Sequence, residues 1–233
     1  MKSSLVDYLR GLEVVADRAR QEDFYLWPRT PLGHDHQEKI AERVGVSDYD
    51  VANRNSRPAL IIRQIRALIG HGLLGADFSL LDIACGDAIV LWQIKRAFPQ
   101  ARCYGVDCNK GNFGTHDMMH HEGVELFKGF IQHLFATDPP APFDLALMLN
   151  TYRGWESADL RTQEQDLPHL ADAWFAKNAR YTIVTASELQ IRRAKRLGLH
   201  VARLGKGEDD STMVCISRSG PPGSLWRRLI PFQ

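Results

Sequence analysis

From Ser79 onward, short apolar runs alternate with longer amphipathic ones, the pattern of parallel strands joined by crossover helices. The strand segments are SLLDIA (79–84), RCYGVD (102–107), VELFK (124–128), FDLALML (143–149), YTIVTA (181–186), HVARL (200–204) and STMVCIS (211–217). Between them the spacing predicts helices over 88–98, 111–122, 167–177 and 188–197. Only GKGEDD separates the last two strands, too little for a helical crossover, so an antiparallel hairpin is expected there.

Ahead of this pattern the chain reads as helical pieces joined by breakers. Leu5, Leu9, Leu12, Ala16 and Ala19 lie on one face of an N-terminal helix. Trp27-Pro28 and Pro31 to Gly33 interrupt the chain, and a second helix is expected near 36–44. A third starts at Pro58, presents Leu60, Ile61, Ile65, Leu68 and Ile69 on one face, and closes at Gly70 and Gly72. The organisation expected is an α/β core over 79–217, an N-terminal helical cap over 1–78 and a tail over 218–233. No internal repeat is visible.

Composition narrows the class. With 44% hydrophobic and 24% charged residues the 233-residue chain reads as a soluble globular protein with one sizeable core. A net charge of +1 supplies no global field for a polyanion, which argues against nucleic acid as partner. Cys85, Cys103, Cys108 and Cys215 form no CxxC pair and sit in or beside strand-like runs, as free thiols in a reducing cytoplasm do. No apolar run reaches the roughly 18 to 20 residues needed to span a bilayer, and the N-terminal segment lacks the unbroken apolar stretch of a signal peptide.

The chemistry concentrates in LLDIACGDA (80–88), an apolar strand running into a small-residue turn and then into an amphipathic helix. Strand ends of an open parallel sheet are where ligands bind, and a helix N-terminus presents unbonded backbone donors there. Taken alone, the segment is equally well a core strand ending at a glycine. YGVDCNKGN (104–112) adds a second feature: Asp107 closes the next strand about twenty residues on, where a carboxylate meets a ribose diol.

These two segments resemble the class I, Rossmann-like S-adenosylmethionine-dependent methyltransferases over roughly residues 79–217. LLDIACGDA looks like their first motif, a strand carrying an Asp and running into GxGxG, and GVDCN looks like the acidic end of their second strand. The family's fold is a seven-stranded sheet, parallel apart from a closing antiparallel hairpin, and flanked by helices. The resemblance implies S-adenosyl-L-methionine as cofactor. Asp82, Ala84, Cys85 and Gly86 would belong to the methionine and ribose side, Asp107 would bind the ribose hydroxyls, and Cys108 and Asn109 would flank the adenine. Phe130, followed by Ile131, stands where an acidic residue usually meets the adenine amino group, so stacking replaces a hydrogen bond there. By the same resemblance Leu149, Asn150 and Thr151, at the end of the fourth strand, would face the methionine.

Ala84 and Ala88 replace the outer glycines of the motif, which fits if only Gly86 takes positive φ. The same substitutions count against a dinucleotide fold, since ACGDAI lacks the first and third glycines of GxGxxG. Related aminopropyl transferases stay open, although their acidic substrate motif is not evident.

Methyl transfer from a sulfonium requires chiefly that the acceptor be held in line with the breaking bond. Substrate contacts are expected from Tyr152, Arg153 and Trp155 after the fourth strand, and from Tyr25 and Trp27 in the cap. Glu156, His34, His36 and Arg57 are further candidates, and His133 and His169 are available as bases without a motif behind them. His34 with His36, and His116 with His120, lack a third ligand, so no metal is expected. The tail segment LWRRLIPF is suited to a weak membrane-surface or protein contact, or to folding back on the core. The sequence thus points to a cytoplasmic methyltransferase acting on a small molecule, with a sugar or other hydroxylated metabolite as the acceptor in view. A protein substrate, or a binding module that kept the cofactor fold without turnover, are the alternatives, and the oligomeric state is open.

Overall fold

A computed structural model of the chain describes residues 4–18, 57–86, 88–108, 122–149, 167–206 and 212–218. In chain order the described elements are α1 (Leu5–Arg18), α2 (Arg57–Gly70), β1 (Ser79–Ile83), α3 (Ile89–Ala97), β2 (Arg102–Asp107), β3 (Val124–Lys128) and α4 (Ile131–Ala136). They continue with β4 (Phe143–Met148), α5 (Leu167–Asn178), β5 (Ala179–Ala186), α6 (Glu188–Arg196), β6 (His200–Lys206) and β7 (Thr212–Ser217). All seven expected strands form one sheet in the order β3-β2-β1-β4-β5-β7-β6. The first five are parallel, and β7 runs antiparallel between β5 and β6, as the short GKGEDD connection requires.

The apolar runs are continuous because the central strands are buried on both faces. Leu80 belongs to a core shared with Ile61, Ile65 and Leu68 of α2 and with Leu91 and Ile94 of α3. Its neighbours Leu81 and Ile83 point the other way, into a core with Leu9 and Leu12 of α1, Leu134 and Phe135 of α4, Trp174 of α5 and Ile191 of α6. On α2 the apolar face is wider than its spacing suggested: Ile62 is 2% exposed, whereas Ile69 is only partly buried. The short helix α4 had no sequence signal, since six residues are too few to establish a helical period. α6 begins on a capping box, with Ser187 and Gln190 each bonding the other's backbone N–H.

At the amino end of the strands Asp144 accepts hydrogen bonds from the Ser79 backbone N–H and hydroxyl, both at 2.9 Å, locking β4 to β1 away from the site described below. Of the expected cap over 1–78, α1 and α2 are packed on opposite faces of the sheet as parts of its two cores. The helix expected near 36–44, residues 19–56 as a whole, the helix expected over 111–122 and the tail from 219 lie outside the described residues. Among the described residues no helix is long and apolar enough to cross a membrane.

Candidate functional site

The carboxyl ends of β1 and β2 lie side by side, with Ile83 in register with Val106. The chain leaves β1 through a turn in which the Cys85 N–H bonds the Val106 carbonyl at 3.2 Å and the Ala88 N–H bonds the Cys85 carbonyl at 2.9 Å. This turn requires left-handed backbone three times: Ala84 and Ala88 both have φ 56° and Gly86 has φ 57°. The expectation that only the middle position takes positive φ is therefore corrected. Both alanines carry a Cβ where glycine has none, at a cost of about 1–2 kcal/mol each.

Across the turn, the Gly86 N–H donates to the Asp107 carboxylate (Oδ2) at 3.0 Å, joining the two strand tips. The Cys108 thiol donates to the other oxygen, Oδ1, at 3.6 Å. Burial first, then the Asp107 charge and the hydrogen bond it accepts, push the Cys108 thiol up to about 12. Cys108 is therefore a protonated donor at neutral pH and not a nucleophile.

The turn can settle this close to β2 because position 105 is glycine. A Cβ on Gly105 would fall 2.8 Å from the Cys85 sulfur and 2.6 Å from Leu126 Cδ2. After β3 the chain turns back at once: the Gly129 N–H donates to the Asp107 carbonyl at 2.9 Å, and α4 begins at Ile131. Between the β1 turn, the end of β2 and this β3–α4 corner lies a cleft of about 250 Å³, lined by Ala84, Asp107, Cys108, Gly129, Phe130, Ile131 and Gln132. It opens at the carboxyl end of the sheet beside the reversal in strand order, where β1 pairs with both β2 and β4.

The structure thus brings Ala84, Asp107, Cys108, Phe130 and Ile131 together around one cleft and joins Gly86 to it through Asp107. It does not bring Asp82, Cys85 or Leu149 to that lining. Asp82 is buried within β1, Cys85 packs its sulfur over Gly105, and Leu149 is half-buried against the α2–α3 core. The Phe130 ring is 1% exposed and meets the His133 imidazole edge-on at 6.2 Å. Its contribution to the wall comes with almost no free ring surface. Gly129 and Gln132 are lining residues that the sequence reading missed. The available signal was their place in the connection after β3, which is too short to leave the sheet's carboxyl edge.

Asn109, Asn150, Tyr25, Trp27, Tyr152, Arg153 and Trp155 lie outside the described residues, as do Glu156, His34, His36, His116 and His120. Arg57 and His169 fall within described helices, α2 and α5, but their side chains are outside the description. Among the described residues the cleft offers one carboxylate, a thiol and a carboxamide, and no group of three metal-ligating side chains is gathered.

No protein-family model matches the sequence, and no curated protein matches it. Solved structures do. The bifunctional kinase-methyltransferase WbdD superimposes with a TM-score of 0.54 at 15% identity over 78% of this chain and 46% of its own. The chain thus spans between 35% and 47% of the length of the WbdD chains it matches. Magnesium protoporphyrin IX methyltransferase from Synechocystis PCC 6803, solved with bound SAM, gives a TM-score of 0.51 at 16% identity over 88% of this chain and 96% of its own. The fold is that of the class I methyltransferases. Within it, the seven strands and the closing antiparallel hairpin are those expected from the sequence.

Proposed function

We propose that the chain is an S-adenosylmethionine-dependent methyltransferase whose acceptor is a small hydroxylated molecule such as a sugar. The observation that carries the reading is the hydrogen bond from Gly86 to Asp107 beside a cleft lined by that carboxylate on one side and by the β3–α4 corner on the other. A nucleoside laid across the two strand tips has its ribose hydroxyls at Asp107 and its base toward Cys108 and the β3–α4 corner. At about 250 Å³ the cleft is smaller than the roughly 300–1,000 Å³ of drug-sized sites, and it suits the nucleoside part of the ligand.

When bound, the cofactor supplies a methyl group already activated on a sulfonium. The chain's own work is to orient it: Asp107 anchors the ribose, and the turn 84–88 supports the methionine side, where Asn150 is assigned. The turn leads directly into α3, whose N-terminus carries no side-chain cap. We assign acceptor contacts to Tyr25, Trp27, Tyr152, Arg153 and Trp155, and adenine contacts to Asn109. Free cysteines and the near-neutral charge support a cytoplasmic enzyme with a small, non-nucleic-acid substrate. A second reading, a cofactor-binding module without turnover, draws support from the strained Ala84 and Ala88.

Calorimetry with S-adenosylmethionine and S-adenosylhomocysteine tests the first step. Binding of either is expected, and Asp107→Ala is expected to weaken it by about 10- to 100-fold through loss of charge-assisted hydrogen bonds. Absence of binding at millimolar ligand would sink the reading. Acceptor-dependent label from methyl-labelled cofactor, sought across fractionated metabolites, separates the enzyme from the module.

A further inference from the structure

We propose that Glu13 of α1 is a positioning residue for the cofactor cleft, acting across the β3 edge without touching the ligand. Among the described residues β3 is an edge strand, with one row of its backbone groups facing away from β2. One of these is answered from the N-terminus of the chain: the Lys128 N–H donates to Glu13 Oε1 at 3.1 Å, bridging 115 residues of sequence. Lys128 is the last residue before the corner that forms the cleft's far wall, and it stands in register with Asp107.

Three hydrogen bonds then run in series. Glu13 holds Lys128, the Gly129 N–H holds the Asp107 carbonyl at 2.9 Å, and the Asp107 carboxylate holds the Gly86 N–H at 3.0 Å. Two further contacts fix α1 against the same corner. A Cβ on Gly129 would lie 3.6 Å from Leu12 Cβ, so the helix approaches the cleft wall with little clearance. One turn earlier, the Tyr8 hydroxyl is 3.1 Å from Thr137 Oγ1, just past the end of α4.

An amide that loses a charged acceptor at this point loses a charge-assisted hydrogen bond, and the corner from Gly129 to Gln132 gains freedom that ligand binding must then remove. Glu13 thereby sets the width of the cleft between the β1 turn and α4. The inference rests on the cofactor reading for its binding arm, and amide exchange tests it independently.

The full chain is compared with Glu13→Ala, Glu13→Asp, which withdraws the carboxylate by one methylene, and Glu13→Gln, which keeps a side-chain acceptor. Ser79→Ala serves as a control that weakens the far end of the sheet. S-adenosylhomocysteine is the probe, and hydrogen exchange is followed at the Lys128 and Gly129 amides. Glu13→Ala is expected to bind about tenfold more weakly, to exchange faster at both amides and to be rescued to within about twofold by glutamine. Ser79→Ala is expected to lower the melting temperature and leave affinity unchanged. Equal affinity in wild type and Glu13→Ala, or failure of glutamine to rescue, overturns the proposal. Should Glu13→Ala not fold, Glu13→Asp is expected to show the same loss in part, and wild-type affinity there overturns it. Should the wild type bind no S-adenosylhomocysteine, the cofactor reading falls, and unchanged exchange at Lys128 in Glu13→Ala is then the result that sinks the Glu13 link.

Discussion

Restoring glycine at position 84 is expected to stabilise the protein, which is an unusual expectation for a change that deletes atoms from a folded chain. Ala84 holds φ 56°, where relief of the Cβ contact is worth about 1–2 kcal/mol. Against this stands the greater freedom of glycine in the unfolded chain, about 0.4–1 kcal/mol. Ala84 is half-buried at the cleft, so little packing is lost, and the balance is a gain of about 0.5–1 kcal/mol. In a protein of this size that raises the melting temperature by about 1–4 °C. Ala88 has the same φ but is 0% exposed. Losing its buried methyl costs about 0.8 kcal/mol more, so Ala88→Gly is expected to be close to neutral. Differential scanning calorimetry of both variants measures the contrast. A fall in melting temperature for Ala84→Gly would refute the reasoning, because the alanine would then not be strained at this turn.

Gly105→Ala is expected to destabilise by about 1–3 kcal/mol, since its Cβ drives against Cys85 and Leu126, and a denaturant midpoint unchanged from wild type would show that the turn does not rest on β2 as described. With its thiol pushed from 9.0 up to about 12, Cys108 carries about a thousandfold less thiolate at pH 8 than an ordinary thiol. Iodoacetamide should therefore label it slowly in the native protein and faster in Asp107→Asn, and rapid wild-type labelling would contradict the burial. Cys103 and Cys215 are also pushed up to about 12 by burial. Because these thiols bind protons more tightly folded than unfolded, their contribution is complete below about pH 9 and is lost as pH rises toward 12. Melting temperatures recorded across that range should fall less steeply in Cys215→Ala than in wild type.

The two strand ends joined by the Gly86–Asp107 hydrogen bond were legible in the sequence because each is a local event. Gly86 follows directly from the apolar strand 79–83, and Asp107 closes the next strand, so neighbouring strands in a parallel sheet bring them together without further information. The closing hairpin was legible for a similar reason, since GKGEDD is too short to cross the sheet. The strain at Ala84 and Ala88 was not legible, because side-chain identity does not report φ and the turn's geometry is set by its bonds to Val106 and Asp107.

The amino-acid pattern by itself determined which segments are strands, how they connect and which strand ends carry polar side chains, because hydrophobic periodicity and connection length act over a few residues. Tertiary structure alone decided that Gly129 and Gln132 line the cleft, that Phe130 is almost fully buried beside His133, and that Glu13 reaches Lys128. Those outcomes depend on how α1 and α4 settle against the β3 edge. Contacts between residues more than a hundred positions apart leave no spacing rule in one chain, and packing of the assembled faces selects among the many that are sterically allowed.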